Sequence, residues 1–241
     1  MALAPLRKKR ATDEVYDSLR AAILTRLFLP GQRLLADELC EQLGVSLTPV
    51  RHALQQLAVE GLVEIHPRSG TYVASISEED LAETFEIRLA LELLAGKRAI
   101  LRWSPAAAKR MNDLLQALAK PVRNEEAMKQ HEALNLNFHF ALFDIAGSRK
   151  LRELYESLNA HIQIARIHAT EGLNLRTRLD QEQAEHEAIV AALDSGSLPN
   201  LEEALRTHIQ RAQLSLMAAL RARDAELSAN EATKHQKRKR V

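Results

Sequence analysis

The sequence predicts a mainly α protein in two parts, and three observations carry that expectation. Apolar residues recur at helical spacing through most of the chain, strand-like runs are confined to the stretch from Leu62 to Val73, and the composition changes near residue 75. Hydrophobic residues make up 46% and charged residues 27%, the balance of a globular chain, and aromatics at 4% leave the core to Leu, Ala, Ile and Val. A net charge of +1 neither requires nor excludes a nucleic-acid partner. The one cysteine, Cys40, cannot form an internal disulfide, which fits a reducing compartment. Met1 to Leu6 is too short an apolar start for a secretion signal, and Arg7-Lys8-Lys9-Arg10 follows it instead of preceding it. With no apolar run of membrane-spanning length, a cytoplasmic protein without a membrane partner is expected.

The first helix carries Val15, Leu19, Ala22 and Ile23 on one face, with Thr12 as its N-cap and Asp13 and Glu14 favouring the positive end of the dipole. After the Pro30-Gly31 turn, a second helix holds Leu39 and Leu43. It ends at Gly44, where the chain must enter the left-handed region that glycine reaches without steric cost. Ser46 then caps a third helix with an inner row of Val50, Leu54 and Leu57. Its outer face presents Leu47, Thr48, Arg51, His52, Gln55 and Gln56. Arg and Gln can make bidentate contacts to base edges, and Thr can bond a phosphate. Two helices around a tight glycine turn, the second with a polar face, form a helix-turn-helix pattern. Leu62 to His66 and Thr71 to Val73 flank Pro67-Arg68-Ser69-Gly70 as a hairpin wing with Arg68 at its tip. On periodicity alone, DNA binding and a small three-helix domain with a solvated face stand as alternatives.

From Ser77-Glu78-Glu79-Asp80, a capping-box pattern, the rest reads as helix. Breaks at Ser104-Pro105, Pro121, Gly147, Gly172 and Gly196 to Pro199 divide it into six helices, at roughly 78–102, 105–120, 125–146, 149–170, 179–195 and 199–226. Lys234 to Arg240 has no apolar face and reads as a solvated tail. The expected organisation is a basic arm over 1–11, a winged helix-turn-helix over 12–75, an all-α six-helix bundle over 76–227 and a basic, disordered tail over 228–241.

The run from Pro30-Gly31 through Leu43-Gly44-Val45-Ser46-Leu47-Thr48-Pro49-Val50-Arg51-His52-Ala53-Leu54 to Glu60-Gly61-Leu62-Val63 and Pro67-Arg68-Ser69-Gly70 resembles the DNA-binding domain of the GntR family. The resemblance implies a transcriptional regulator, with Thr48, Arg51, His52, Gln55 and Arg68 as candidate contacts to operator DNA. Three positions depart from the family pattern: Leu47 stands where Arg is usual, His52 where Glu is usual, and Arg26 replaces a Gly. One recognition helix reads only a half-site, so a homodimer on a pseudo-palindrome is expected.

The second part resembles the helical FCD effector domain of the FadR branch, in its VanR-like six-helix form. Its marks are Arg88-Leu89-Ala90-Leu91-Glu92, Asn135-Leu136-Asn137-Phe138-His139, Glu185-His186 and His208. In relatives an Asp and three His at these places bind a divalent metal. The resemblance therefore nominates Asn135, His139, His186 and His208 as metal ligands, with Zn or Ni as the ion and Asn135 in place of the usual Asp. Periodicity agrees, since Asn135 and His139 share a helix face, His186 shares a row with Ile189, Val190 and Leu193, and His208 one with Leu201 and Leu205. A metal-free polar pocket is the alternative. Arg88 is nominated to pair with the carboxylate of a small organic-acid effector, its alternative being an ion pair with Glu92. His131, His161 and His168 read as surface or packing residues. Two rival functions remain: a helical metalloenzyme using the same four side chains, and a fatty-acyl coenzyme A sensor. An enzyme would have no use for the winged helix, and di-iron bundles require two Glu-x-x-His pairs that this chain lacks.

Overall fold

The computed structural model describes residues 11–25, 27–168 and 175–238. The basic arm through Arg10, the Arg26 departure and the last residues from Lys239 lie outside the described residues. The chain divides into two compact units, residues 1–77 with 159–169, and residues 78–158 with 170–241.

The first unit holds α1 (Ala11–Leu24), β1 (Arg33–Leu34), α2 (Ala36–Leu43), α3 (Leu47–Val59), β2 (Val63–His66) and β3 (Gly70–Val73). Helix α1 buries Val15, Leu19 and Ile23, and α3 buries Val50, Ala53, Leu54 and Leu57. A fully buried Leu or Ile contributes roughly 1.5–3 kcal/mol relative to exposure. That inner row docks the helices and leaves the polar face of α3 free of any structural duty. Gly44 closes α2 at φ 65°, and its neighbour Val45 donates to the Cys40 carbonyl. The wing forms as the sequence predicts, with Val63 opposite Val73 and His66 opposite Gly70. It acquires a third strand, because β1 pairs antiparallel with β3 and gives the order β1-β3-β2.

Two capping expectations change. Ser46 stands at the N-cap of α3 in extended conformation, but its side chain makes no capping bond. An N-cap oxygen takes its hydrogen from the second or third helical residue, and here the third is Pro49, which has none. Thr12 lies inside α1, which already includes Ala11.

The second unit is built from α4 (Glu78–Ile100), α5 (Pro105–Leu118), α6 (Glu125–Ala146), the part of α7 (Arg149–His168) up to Leu158, α8 (Leu175–Asp194) and α9 (Leu198–Arg238), while the rest of α7 belongs to the first unit. Ser104 caps α5 by accepting from the Ala107 amide at 3.2 Å, with Pro105 in the first turn, and Asn124 caps α6 by accepting from Ala127 at 2.8 Å. The core gathers Met111, Leu115, Phe138, Leu142, Phe143, Tyr155, Ile189, Leu193, Leu201 and Leu205 between the helices. Helix α8 begins at Leu175, earlier than the apolar pattern requires, and α9 runs to Arg238, where a disordered tail from 228 was expected. The extension is rich in Ala, Glu, Gln, Lys and Arg, which favour helix on propensity alone.

Candidate functional site

On α3 the inner row turns Thr48, Arg51, His52 and Gln55 outward together, all exposed, with Leu47 half-buried at the helix start. Arg68 is exposed at the wing turn with φ 68°, a conformation uncommon for a residue with a Cβ. The Ser69 amide closes that turn onto the His66 carbonyl at 3.2 Å, and the Tyr72 hydroxyl donates to the Ser69 carbonyl at 3.1 Å. A feature missed from sequence steadies the back of the reading helix. Tyr16 on α1 donates to the carboxylate of Glu60, the C-cap of α3, and Arg20 reaches the same carboxylate at 3.4 Å. Burial and the neighbouring Glu60 push the Tyr16 hydroxyl up to about 12.

The nominated polar residues of the second unit are all buried. Helix α4 turns Leu81, Thr84, Phe85, Arg88, Glu92, Ala95 and Ala99 inward, so a charged pair sits in a mainly apolar row. Helix α6 supplies Asn135 and His139, α8 supplies His186 and α9 supplies His208, each no more than 3% exposed. His139, His186 and His208 each bring a ring nitrogen within 4.8 Å of the other two. Their ring centroids lie 4.6 to 5.5 Å apart. Asn135 is on the same helix one turn before His139, and its Oδ1 has no protein partner.

The hydrogen bonds fix which nitrogens face the centre. His139 Nδ1 lies 2.9 Å from Glu92 Oε2, and His208 Nδ1 lies 2.9 Å from Glu185 Oε2. An ionised carboxylate only accepts, so both rings carry their proton on Nδ1 and turn the Nε2 lone pair inward. Those two Nε2 atoms are 3.2 Å apart. Neither ring nitrogen of His186 has a protein partner, and the ring packs 4.2 Å from that of Phe138. Burial, and then His208 beside it, hold His186 well below its ordinary value, while burial and then His139 do the same to His208. Both rings are therefore neutral, the state in which imidazole ligates a metal.

The surrounding charges are paired. Arg88 Nε donates to Glu92 Oε1 at 2.7 Å, and its Nη2 lies 3.0 Å from His139 Nε2. Burial alone would raise the Glu92 carboxyl, but His139 and Arg88 hold it far below the carboxylate range. Glu185 takes a second bond from Arg211 on α9, yet burial leaves its carboxyl raised. Sequence reading missed both carboxylate–imidazole pairs. Glu92 was readable as inward-facing, one turn after Arg88, but its partner is 47 positions away on another helix. His131, read as surface or packing, is buried one turn before Asn135, with Nε2 3.9 Å from Glu182 on α8.

These residues suit a divalent ion of the zinc or nickel kind. Two nitrogens on one tetrahedral zinc at about 2.0–2.1 Å stand about 3.3 Å apart, close to the His139–His208 separation. Three imidazoles together with the amide oxygen of Asn135 would make a nitrogen-rich, borderline donor set. The carboxylates at the two Nδ1 positions are the outer partners that orient metal-binding histidines.

A winged helix with a polar reading face, joined in one chain to a helical domain with a buried imidazole cluster, defines the class of DNA-binding transcriptional regulators. Residues 11–73 match the bacterial regulatory proteins of the gntR family, and residues 83–211 match the FCD domain. The chain belongs to the GntR family, in its FadR-like branch with an FCD domain, and is a transcriptional regulator and not an enzyme. It is 30% identical, over 91% of its length and 90% of the relative's, to an HTH-type transcriptional regulator in an unstable DNA locus of Streptomyces ambofaciens. It is 27% identical to the HTH-type transcriptional repressor RspR of Escherichia coli, over 82% of this chain and 85% of that one. Among solved structures, E. coli McbR/YncC is 25% identical with a TM-score of 0.69, covering 87% of this chain and 98% of that one. Among the described residues no helix is long and apolar enough to cross a membrane.

Proposed function

We propose that this regulator is a cytoplasmic homodimer whose affinity for a pseudo-palindromic operator is set by a small organic acid bound at a metal site in the helical domain. The observation that carries the reading is the convergence of His139, His186 and His208, three buried imidazoles from three helices. Buried polar atoms are ordinarily partnered. His186, with no protein partner on either nitrogen, and Asn135 Oδ1 call for a cation at their centre. A divalent ion there would give the pocket the positive charge and open position that a carboxylate seeks. His139 and His208 are held in the right tautomer by Glu92 and Glu185. On the first unit, the exposure of Arg51, His52 and Gln55 supports their reaching base edges, with Thr48 and Arg68 going to phosphates, and two copies would read the two half-sites.

The test is metal analysis of protein purified without chelator, followed by calorimetric titration of zinc into wild type and Asn135→Asp. Bound or titratable zinc, held more tightly by the Asp variant, is expected, because a carboxylate adds charge to the ligand set. If no metal co-purifies and none can be titrated in, the histidines serve instead as hydrogen-bond partners of the effector and the metal reading is wrong.

A further inference from the structure

We propose that Arg88 and the metal compete for a single lone pair, Nε2 of His139, so that metal binding releases Arg88 Nη2 as a donor for an anionic effector. The inference rests on the metal reading above and adds to it an order of events. His139 has two ring nitrogens and both are already used. Nδ1 faces Glu92 Oε2 at 2.9 Å, which commits its proton there. A guanidinium can only donate, so the 3.0 Å approach of Arg88 Nη2 makes Nε2 the acceptor. That nitrogen has one lone pair, and it stands 3.2 Å from His208 Nε2, among the ring nitrogens of the cluster. A metal held by the three imidazoles must use the same lone pair. The two uses exclude each other.

The rest of the guanidinium explains why Arg88 stays in place when it loses this bond. Its Nε is tied to Glu92 Oε1 at 2.7 Å, and the group lies 5.5 Å over the Phe85 ring. Glu92 therefore holds both Arg88, through one oxygen, and the contested ring of His139, through the other. With that anchor intact, release frees only the Nη2 edge, which already faces the imidazoles. A buried guanidinium donor beside a cation is a poor neighbour for further cations and a good one for a carboxylate. Arg88 thus opposes the metal alone and favours the metal together with an acid.

The experiment titrates zinc into wild type and Arg88→Met by calorimetry with a competing chelator. The same comparison is made between Glu92→Gln and the double variant with Arg88→Met. The second pair removes the buried charge that Arg88→Met alone would strand, so it reads the competition even if the single variant folds poorly. Losing a charge-assisted bond that competes for the ligand should tighten zinc binding by roughly tenfold to a hundredfold in at least the second pair. A residue that merely supports the site would give weaker binding instead. Side-chain nitrogen NMR of wild type should show the Arg88 guanidinium resonances shifting on zinc addition. Zinc affinity unchanged or lowered in the double variant relative to Glu92→Gln, or Arg88 resonances indifferent to saturating zinc, would overturn the competition. Zinc binding absent from every protein would overturn the metal reading itself.

Discussion

Replacing His186 by Phe should make the metal-free protein more stable while destroying its response to metal. His186 is fully buried, and neither ring nitrogen has a protein partner. A buried polar group left unpaired costs about 1–3 kcal/mol. Phe removes both such atoms, and the slot already accommodates a ring tilted against that of Phe138 with centroids 4.2 Å apart. Allowing for the slightly larger ring, the gain in chelator should be about 1–3 kcal/mol, which for a domain of this size raises the melting temperature by roughly 2–12 °C. Wild type should recover and exceed the difference when zinc is added, since a ligand at a thousand times its Kd stabilises the native state by about 4.1 kcal/mol. The variant should gain nothing from zinc. Differential scanning calorimetry with EDTA and with zinc measures both. A variant that melts below wild type in EDTA would refute the reasoning, because it would mean that the His186 nitrogens are satisfied in the folded protein without metal.

Two further outcomes concern the DNA-binding unit. Arg51→Ala should weaken operator binding by about 1–3 kcal/mol and relax preference at one base pair if the side chain reads a base, whereas uniform weakening with a shallower salt dependence identifies a phosphate contact. Binding measured across operator variants and salt concentrations separates these cases, and unchanged affinity would mean that another face of the unit meets DNA. Tyr16 gives a pH signature. Its hydroxyl is raised in the folded state to about 12 from an ordinary 10, so its contribution is complete below pH 10 and fades as pH rises toward 12. Alkaline unfolding followed by circular dichroism should therefore be flatter over that window in Tyr16→Phe than in wild type.

The inner faces of the helices were legible because helical spacing is a local signal. Val50, Leu54 and Leu57 in α3 are buried as the pattern required, and so are Asn135, His139, His186 and His208. What stayed hidden depends on partners far along the chain. Strand β1 is the two residues Arg33 and Leu34, too short to show alternation, and exists because Thr71 and Tyr72 of β3 pair with it. Arg88 and Glu92 could be placed on the inner face and paired at one-turn spacing. That Glu92 would also accept a hydrogen bond from His139 depends on how α4 packs against α6, which nothing local encodes. Ser46 shows the opposite failure. The residue type was right for a cap, and Pro49 removed one of its donors.

On the proposed reading, the charges around the cluster account for a neutral Asn135 among its ligands. Glu92 is matched by Arg88 and Glu185 by Arg211, so these two carboxylates polarise the imidazoles without adding net charge at the centre. A divalent ion held by three imidazoles and an amide would keep nearly its whole charge, where an Asp would cancel part of it. The ion is then bound less firmly alone, and an acid beside it is bound more firmly. By linkage, whatever the ion adds to the affinity of the acid, the acid adds to the affinity of the ion. Weakening the first ligand thus moves binding energy from metal retention into the coupling between metal and acid, and that coupling is the quantity a regulator can pass on to its operator.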